Sequence, residues 1–311
     1  MALPVIPIPH IELRPVDKKR LAALHERSTT ELKSGDTGYC YSALCQCFLP
    51  YQNPETEIWN RKNGDYSIML QAGYVEDDSA PTGFRCVGLP YGAKPRLFNI
   101  FLSTRAVKLQ SKILPVEETM CAMMRALGFD RTGGEYGTIA GFKDQIMRFV
   151  NCSLSIVGPG PKGGRRYAKT SPISRFDVFF SREKSIWPHE IELTEEFYGS
   201  LACHAVPINL HALRSIQQKP RSLDIYCWMA QRLCRIPATK PLLLSWRDLH
   251  AMFGGECSFR QFKPEFRESV VPVQVCYPGV RLEETPKGFL FRQSPPPIPA
   301  KTRIFVKTKP F

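Results

Sequence analysis

The sequence predicts an α+β fold of two tandem modules, each a helix-turn-helix followed by a β-hairpin wing, behind an irregular N-terminal extension. Three observations predict it. Apolar residues recur at helical spacing in two separate runs, over about 95–150 and 210–270. In each run a double glycine, Gly133-Gly134 or Gly254-Gly255, breaks the chain ahead of a basic amphipathic stretch. Each run is then followed by two strand-like segments around a turn, the hairpin that turns a helix-turn-helix into a winged helix. At 311 residues the chain is roughly twice a typical domain, which suits two modules. The expected divisions are an extension with a β-hairpin over 1–85, winged-helix domains over 86–185 and 186–298, and a basic tail over 299–311.

The extension opens on a proline-rich lead with Pro4, Pro7 and Pro9, followed by a helical patch around Leu21 to Leu32. Tyr66, Ile68 and Leu70 alternate behind Asn63-Gly64, a tight-turn pair, so a hairpin is expected there. Its partner strand lies near Trp59 or further back around Cys45 to Leu49, and the residues leave both open.

In the first module Leu97, Ile100, Phe101 and Leu102 predict a buried helix from Pro95 to about Leu109. After the apolar stretch Lys112 to Leu114, a second helix is expected over Pro115 to Leu127. Pro115 suits its first turn, and Glu117 and Glu118 suit the positive end of its dipole. Thr138 can cap a third helix whose Ile139, Phe142, Ile146, Phe149 and Val150 share one face. Ser153 to Val157 and Arg175 to Phe180 read as the strands of the first wing, around the glycine-proline-basic loop Gly158 to Lys169.

The second module begins with Leu210, Leu213 and Ile216, then a helix after Pro220 with Ser222 as its cap and Tyr226 facing the core. Pro241 to Ser245 reads as a short strand, and Ser245 caps the helix Trp246 to Phe253, which Gly254-Gly255 ends. Phe259, Phe262, Phe266 and Val270 line the following helix. Pro264 is awkward in its middle, so that helix is expected to begin near Lys263. Arg281 to Glu284 and Gly288 to Arg292 form the second wing around Thr285-Pro286-Lys287.

The net charge of +13 and an isoelectric point near 9.3 favour polyanionic partners, nucleic acid first. An acidic membrane would call for a basic amphipathic anchor or an apolar run of ~20 residues, and neither is found. Eleven cysteines, an odd number, without a secretory leader read as reduced thiols, so a cytoplasmic location is expected.

Several blocks resemble the RepA-type plasmid replication initiators of bacteria. They are Gly88-Leu89-Pro90-Tyr91-Gly92 with Pro95-Arg96-Leu97, Gly133-Gly134 with Gly137-Thr138-Ile139, and Phe197-Tyr198-Gly199-Ser200-Leu201 with His204-Ala205-Val206-Pro207. Leu223-Asp224-Ile225-Tyr226 and Ser294-Pro295-Pro296-Pro297 complete the set, in order along the chain. The resemblance implies binding to repeated duplex sites (iterons) in a plasmid origin, help in melting the duplex, and recruitment of the host helicase and replication proteins. It also implies self-association through the first winged helix while the second reads DNA.

Phosphates supply affinity and base edges supply specificity, so a reader needs cations around a helix that fits the major groove. In the second module the expected readers are Arg260, Gln261, Lys263 and Arg267. In the first, Thr138, Lys143 and Arg148 are the corresponding polar positions, with Ala140-Gly141 leaving little bulk. Arg165, Arg166 and Lys169 in the first wing and Lys287 in the second are expected to add backbone contacts.

No enzyme, cofactor or metal is expected. Gly158 to Gly163 matches G-x-G-x-x-G without a helix opening behind it, and no phosphate-loop motif occurs. Cys45, Cys47, Cys203, Cys227 and Cys234 lack paired zinc spacing, and the histidines lack the H-x-H pair of a metal-dependent nickase. The alternatives are a transcriptional repressor and, more remotely, a rolling-circle nicking enzyme.

Overall fold

The structure, a computed structural model, describes residue 22 and residues 36–117, 119–129, 138–176, 179–180, 185–186 and 189–298. The expected helical patch at 21–32 (residue 22 apart), Glu118, Gly133-Gly134 and the basic tail lie outside the described residues.

Five strands come first: β1 (Thr37–Cys40), β2 (Ile58–Asn63), β3 (Tyr66–Gln71), β4 (Gly73–Glu76) and β5 (Phe84–Gly88). Helix α1 (Ala93–Leu109), strand β6 (Ile113–Pro115) and helices α2 (Met120–Ala126) and α3 (Thr138–Asn151) follow. Next are β7 (Ser153–Pro159), β8 (Arg165–Thr170), β9 (Ile173–Phe176), the short pair β10 (Phe179–Phe180) and β11 (Ser185–Ile186), and β12 (Glu190–Leu193). Helix α4 (Glu195–His204) leads to β13 (Val206–Asn209), α5 (Leu210–Ile216) and α6 (Pro220–Arg232). The described chain closes with β14 (Leu242–Ser245), α7 (Trp246–Phe253), α8 (Phe259–Cys276), β15 (Leu282–Thr285) and β16 (Gly288–Phe291).

These elements form two compact units. The inner unit is residues 47–205; the split unit joins the described residues up to 46 to those from 206 onward. Residues 47–85, expected from sequence in an extension, belong to the inner unit, which holds the four strands β2 to β5.

In the inner unit β2 and β3 form a hairpin that pairs Asn63 with Tyr66, which selects Trp59 rather than Cys45 to Leu49 as the partner region. Gly64 sits at φ +55° in its two-residue turn, a conformation that glycine adopts without penalty. The hairpin continues into an antiparallel sheet of order β2-β3-β7-β8. Helix α1 packs against α3 and α4, with Phe98 and Phe149 meeting edge to face at 5.8 Å. Phe98, Leu102, Phe142, Phe149, Leu154 and Phe197 are fully buried, and each such side chain contributes roughly 1.5–3 kcal/mol.

Two sequence expectations change here. The second helix starts at Met120, not Pro115, because the Thr119 side chain caps it by accepting from the Ala122 amide. Pro115 instead ends β6 opposite Glu190 of β12. Where the first wing is expected, the hairpin is β7 with β8, running through the predicted loop Gly158 to Lys169, while Arg175 belongs to β9 and pairs with β12. The order β6-β12-β9 thus leaves that hairpin in a different sheet from the strand that precedes α2.

In the split unit β1 pairs antiparallel with β13, Thr37 opposite Asn209 and Cys40 opposite Val206. Helix α6 opens with Pro220 in its first turn, and Ser222 is no cap: its buried hydroxyl donates to the Ser269 carbonyl at 2.9 Å. Tyr226 is fully buried, as expected, and its hydroxyl accepts from the Asn209 amide at 3.2 Å. Strand β14, helices α7 and α8 and the hairpin β15–β16 follow, and the three strands form one sheet of order β14-β16-β15. Trp246 is the hub of this core, edge-on to Phe262, Phe266 and Phe289 at 6.5, 6.2 and 5.5 Å. No described helix is long and apolar enough to cross a membrane.

Candidate nucleic-acid interface

Helix α8 is built from its cap outward. Ser258 accepts from the Gln261 amide, and the Gln261 side chain reaches back to Ser258, a reciprocal capping box that fixes where the helix starts. The helix therefore begins at Phe259, four residues before the start expected from Pro264. The proline removes the N–H that would bond the Arg260 carbonyl, and the helix runs through it. Phe262, Phe266 and Val270 are fully buried, whereas Phe259 at the first turn stays 40 % exposed.

The four expected readers on this helix have different surroundings. Arg260 is exposed on the outward face. Gln261 is exposed but engaged in the cap, its Oε1 accepting from Ser258 Oγ at 2.9 Å. Lys263 lies over the rings of Phe259 and Trp246, at 5.1 and 5.6 Å.

Arg267 turns inward. Its Nε and Nη2 both donate to Oε1 of Glu284, at 3.0 and 2.7 Å, and its guanidinium stacks over Trp246 at 5.0 Å. This corrects the expectation that it points away. Lys287 is exposed at the tip of the β15–β16 hairpin, where its carbonyl accepts from the Trp246 amide and ties the tip to the start of α7. Arg247, the second residue of α7, is also exposed and was missed in the sequence. The signal was available, since Trp246, Leu249, Met252 and Phe253 turn inward and leave Arg247 on the opposite face.

In the inner unit α3 opens on Thr138 itself, half-buried in the first turn. Lys143 is half-buried, and burial lowers its pKa. Lys94 of α1 adds a cation that sequence spacing did not reveal: a Cβ on Gly141 would lie 2.7 Å from its Nζ. Burial lowers the Lys94 pKa as well, against the opposing pull of Asp144.

Arg148 is not presented outward. Its side chain is 17 % exposed, ion-paired to Asp144 at 2.9 Å and stacked over Tyr91 at 5.4 Å. Its Nη1 reaches Asn53 Oδ1 and the Leu89 carbonyl, each at 3.4 Å. Gln145 helps by accepting from the Tyr91 amide at 2.8 Å. The Gly88–Gly92 segment is thereby clamped to α3. Next to it Arg96, 6 % exposed, donates to the carbonyls of Leu49, Pro50 and Gly92.

Arg165, Arg166 and Lys169 are all exposed on β8, an edge strand. Strand alternation separates them: Arg165 and Lys169 share one face with Tyr167, and Arg166 lies on the other. Among the described residues no cluster of three or more His, Cys, Asp or Glu side chains could hold a metal ion.

A family model described as plasmid-encoded RepA protein matches residues 89–248, just over half of the chain. The chain belongs to that family. The clamped segment at 88–92 stands at the start of the RepA match, and Ser245, which caps α7, stands near its end. Two crystal structures of RctB domains 2 and 3 are among the solved structures that match this chain. One, of selenomethionine derivatives, has 11 % identity and a TM-score of 0.46 over 79 % of this chain and 95 % of that one. The other has 12 % identity and a TM-score of 0.47 over 78 % and 93 %. A comparison with curated proteins finds no match.

Proposed function

We propose that this RepA-family chain is a plasmid replication initiator that binds repeated duplex sites in its origin through a winged helix formed by α6 to β16, with α8 as the recognition helix. One observation carries the reading. The run helix, strand, helix, helix, hairpin closes as the single sheet β14-β16-β15 and leaves Arg260 exposed at the start of α8 and Lys287 at the hairpin tip.

In this reading Arg260 enters the major groove, where a guanidinium can grip guanine O6 and N7 bidentately. Arg247 and Lys287 sit on phosphates to either side. Gln261, Lys263 and Arg267 hold the helix in place rather than read bases. In the inner unit Lys94, Thr138 and Lys143 form a second, weaker contact around α3. Arg165, Arg166 and Lys169 add backbone contacts. The reading includes duplex melting, recruitment of host helicase and replication proteins, and self-association through the inner unit, and it gives the chain no catalytic step.

The test is a mobility-shift titration on origin DNA and on scrambled DNA at a fixed salt concentration. Arg260→Ala should weaken origin binding by about 1–3 kcal/mol and leave scrambled binding nearly unchanged. Equal binding of the wild type to both DNAs would refute sequence reading altogether.

A further inference from the structure

The four-stranded sheet of the inner unit buries one face of β2, β3 and β7 and leaves the other bare, while its edge strand β8 is exposed on both faces as far as Lys169. Arg61, Ile68, Leu70 and Leu154 lie on the buried face. Residues opposite one another in the register share a face, so the outward rows can be read directly. Lys62, Ser67, Val157 and Tyr167 form one row across β2, β3, β7 and β8. The adjacent row ends on Lys169, and Arg165 follows Tyr167 at the other end of β8. No Asp or Glu falls among the strand residues of this face.

Tyr167 is 76 % exposed, the most exposed large hydrophobic side chain among the described residues. Arg165 and Lys169 lie two residues to either side, about 7 Å away along the strand. The chain holds no internal carboxylate against either cation among the described residues. An aromatic ring lying open between two uncompensated cations, on a sheet face without acidic groups, suits one kind of partner.

We propose that this outer sheet face binds a single strand of DNA, with an unpaired base stacked on Tyr167 and the flanking phosphates on Arg165 and Lys169. Stacking platforms flanked by cations are how proteins hold single strands without reading sequence. A duplex is the poorer fit. Its bases are already stacked on one another and offer no face to a tyrosine. Four strands also span about 14 Å, wider than the ~12 Å major groove. The inference goes beyond duplex recognition by α8 and turns on Tyr167, which the duplex reading does not use, so either can fail alone.

The experiment is fluorescence anisotropy with the full chain on a labelled single-stranded dT 20-mer and, separately, on origin duplex. Wild type, Tyr167→Ala, Tyr167→Phe and Lys169→Ala are compared, with circular dichroism to show that each is folded. Tyr167→Ala should weaken single-strand binding by about 5- to 150-fold and leave duplex binding unchanged, while Tyr167→Phe, which keeps the ring, should bind like wild type. Lys169→Ala should reduce the salt dependence of single-strand binding. The proposal is overturned if wild type does not bind the 20-mer, if Tyr167→Ala binds it as tightly as wild type, or if Tyr167→Ala loses single strand and duplex equally. Failure of the duplex reading would show elsewhere, as origin binding indifferent to Arg260→Ala.

Discussion

Replacing Arg267 with alanine should cost the split unit about 3–5 kcal/mol of stability, the price of stranding one member of a buried ion pair. Glu284 is its partner, with a side chain only 6 % exposed against 20 % for Arg267. Both guanidinium contacts fall on Oε1, and Oε2 has no hydrogen-bond partner in the structure. Without Arg267 the carboxylate would keep almost no water and no cation. The guanidinium over Trp246 adds ~0.5–1 kcal/mol of stacking that alanine also removes. Because Arg267 is one-fifth exposed, the lower half of the range applies. Urea unfolding followed by tryptophan emission measures it, with Trp246 as the local reporter. Arg267→Met combined with Glu284→Leu removes both charges, keeps apolar bulk, and should recover most of the loss. An unchanged urea midpoint for Arg267→Ala, together with lost origin binding, would refute the assignment and return Arg267 to the proposed DNA-reading face.

Arg148→Ala should destabilise the inner unit by about 2–3 kcal/mol in urea titration, because it releases Asp144, the Leu89 carbonyl and the Tyr91 ring together, with no change in sequence preference on DNA. Ser258→Ala breaks the capping box and should lower stability by about 1 kcal/mol and speed amide exchange in the first turn of α8. Lys287→Ala should weaken binding to origin and scrambled duplex alike, with the slope of log K against log salt reduced by about 1. Burial pushes the Cys152 and Cys276 thiols up to about 12, so at pH 8 both remain protonated and unreactive. Maleimide labelling at pH 8 read by mass spectrometry should then find Cys203 and Cys234, which are exposed, and reach Cys152 and Cys276 only once the chain is unfolded.

Much of the split unit was legible because its signals are local. Ser245 and Gly254 bracket α7, Phe262, Phe266 and Val270 repeat at helical spacing, and Thr285 to Gly288 is a turn between two short strands. The inner unit was less legible because its sheets join distant segments: β3 pairs with β7 across some eighty residues, and β6 pairs with β12. Arg165 to Lys169 reads as loop because glycine, proline and lysine precede it, yet pairing with β7 makes it part of a strand. Arg148 and Arg267 illustrate a different limit. Helical spacing places a cation on a polar face, but an acceptor from a remote segment decides whether it faces water. For Arg267 that acceptor is Glu284, seventeen residues on; for Arg148 it includes the Leu89 carbonyl, fifty-nine residues back.

The pairing of Thr37–Cys40 with Val206–Asn209 bears on how the chain is made. On the ribosome β1 emerges early and then waits while the whole of 47–205 is synthesised before its partner strand appears. The inner unit is continuous and has time to fold in that interval, whereas the split unit must close a loop of more than 160 residues before its first sheet forms. A fragment begun at residue 47 would lack one strand of that two-stranded sheet, so shortened versions should keep residues 36–46 or supply them as a peptide.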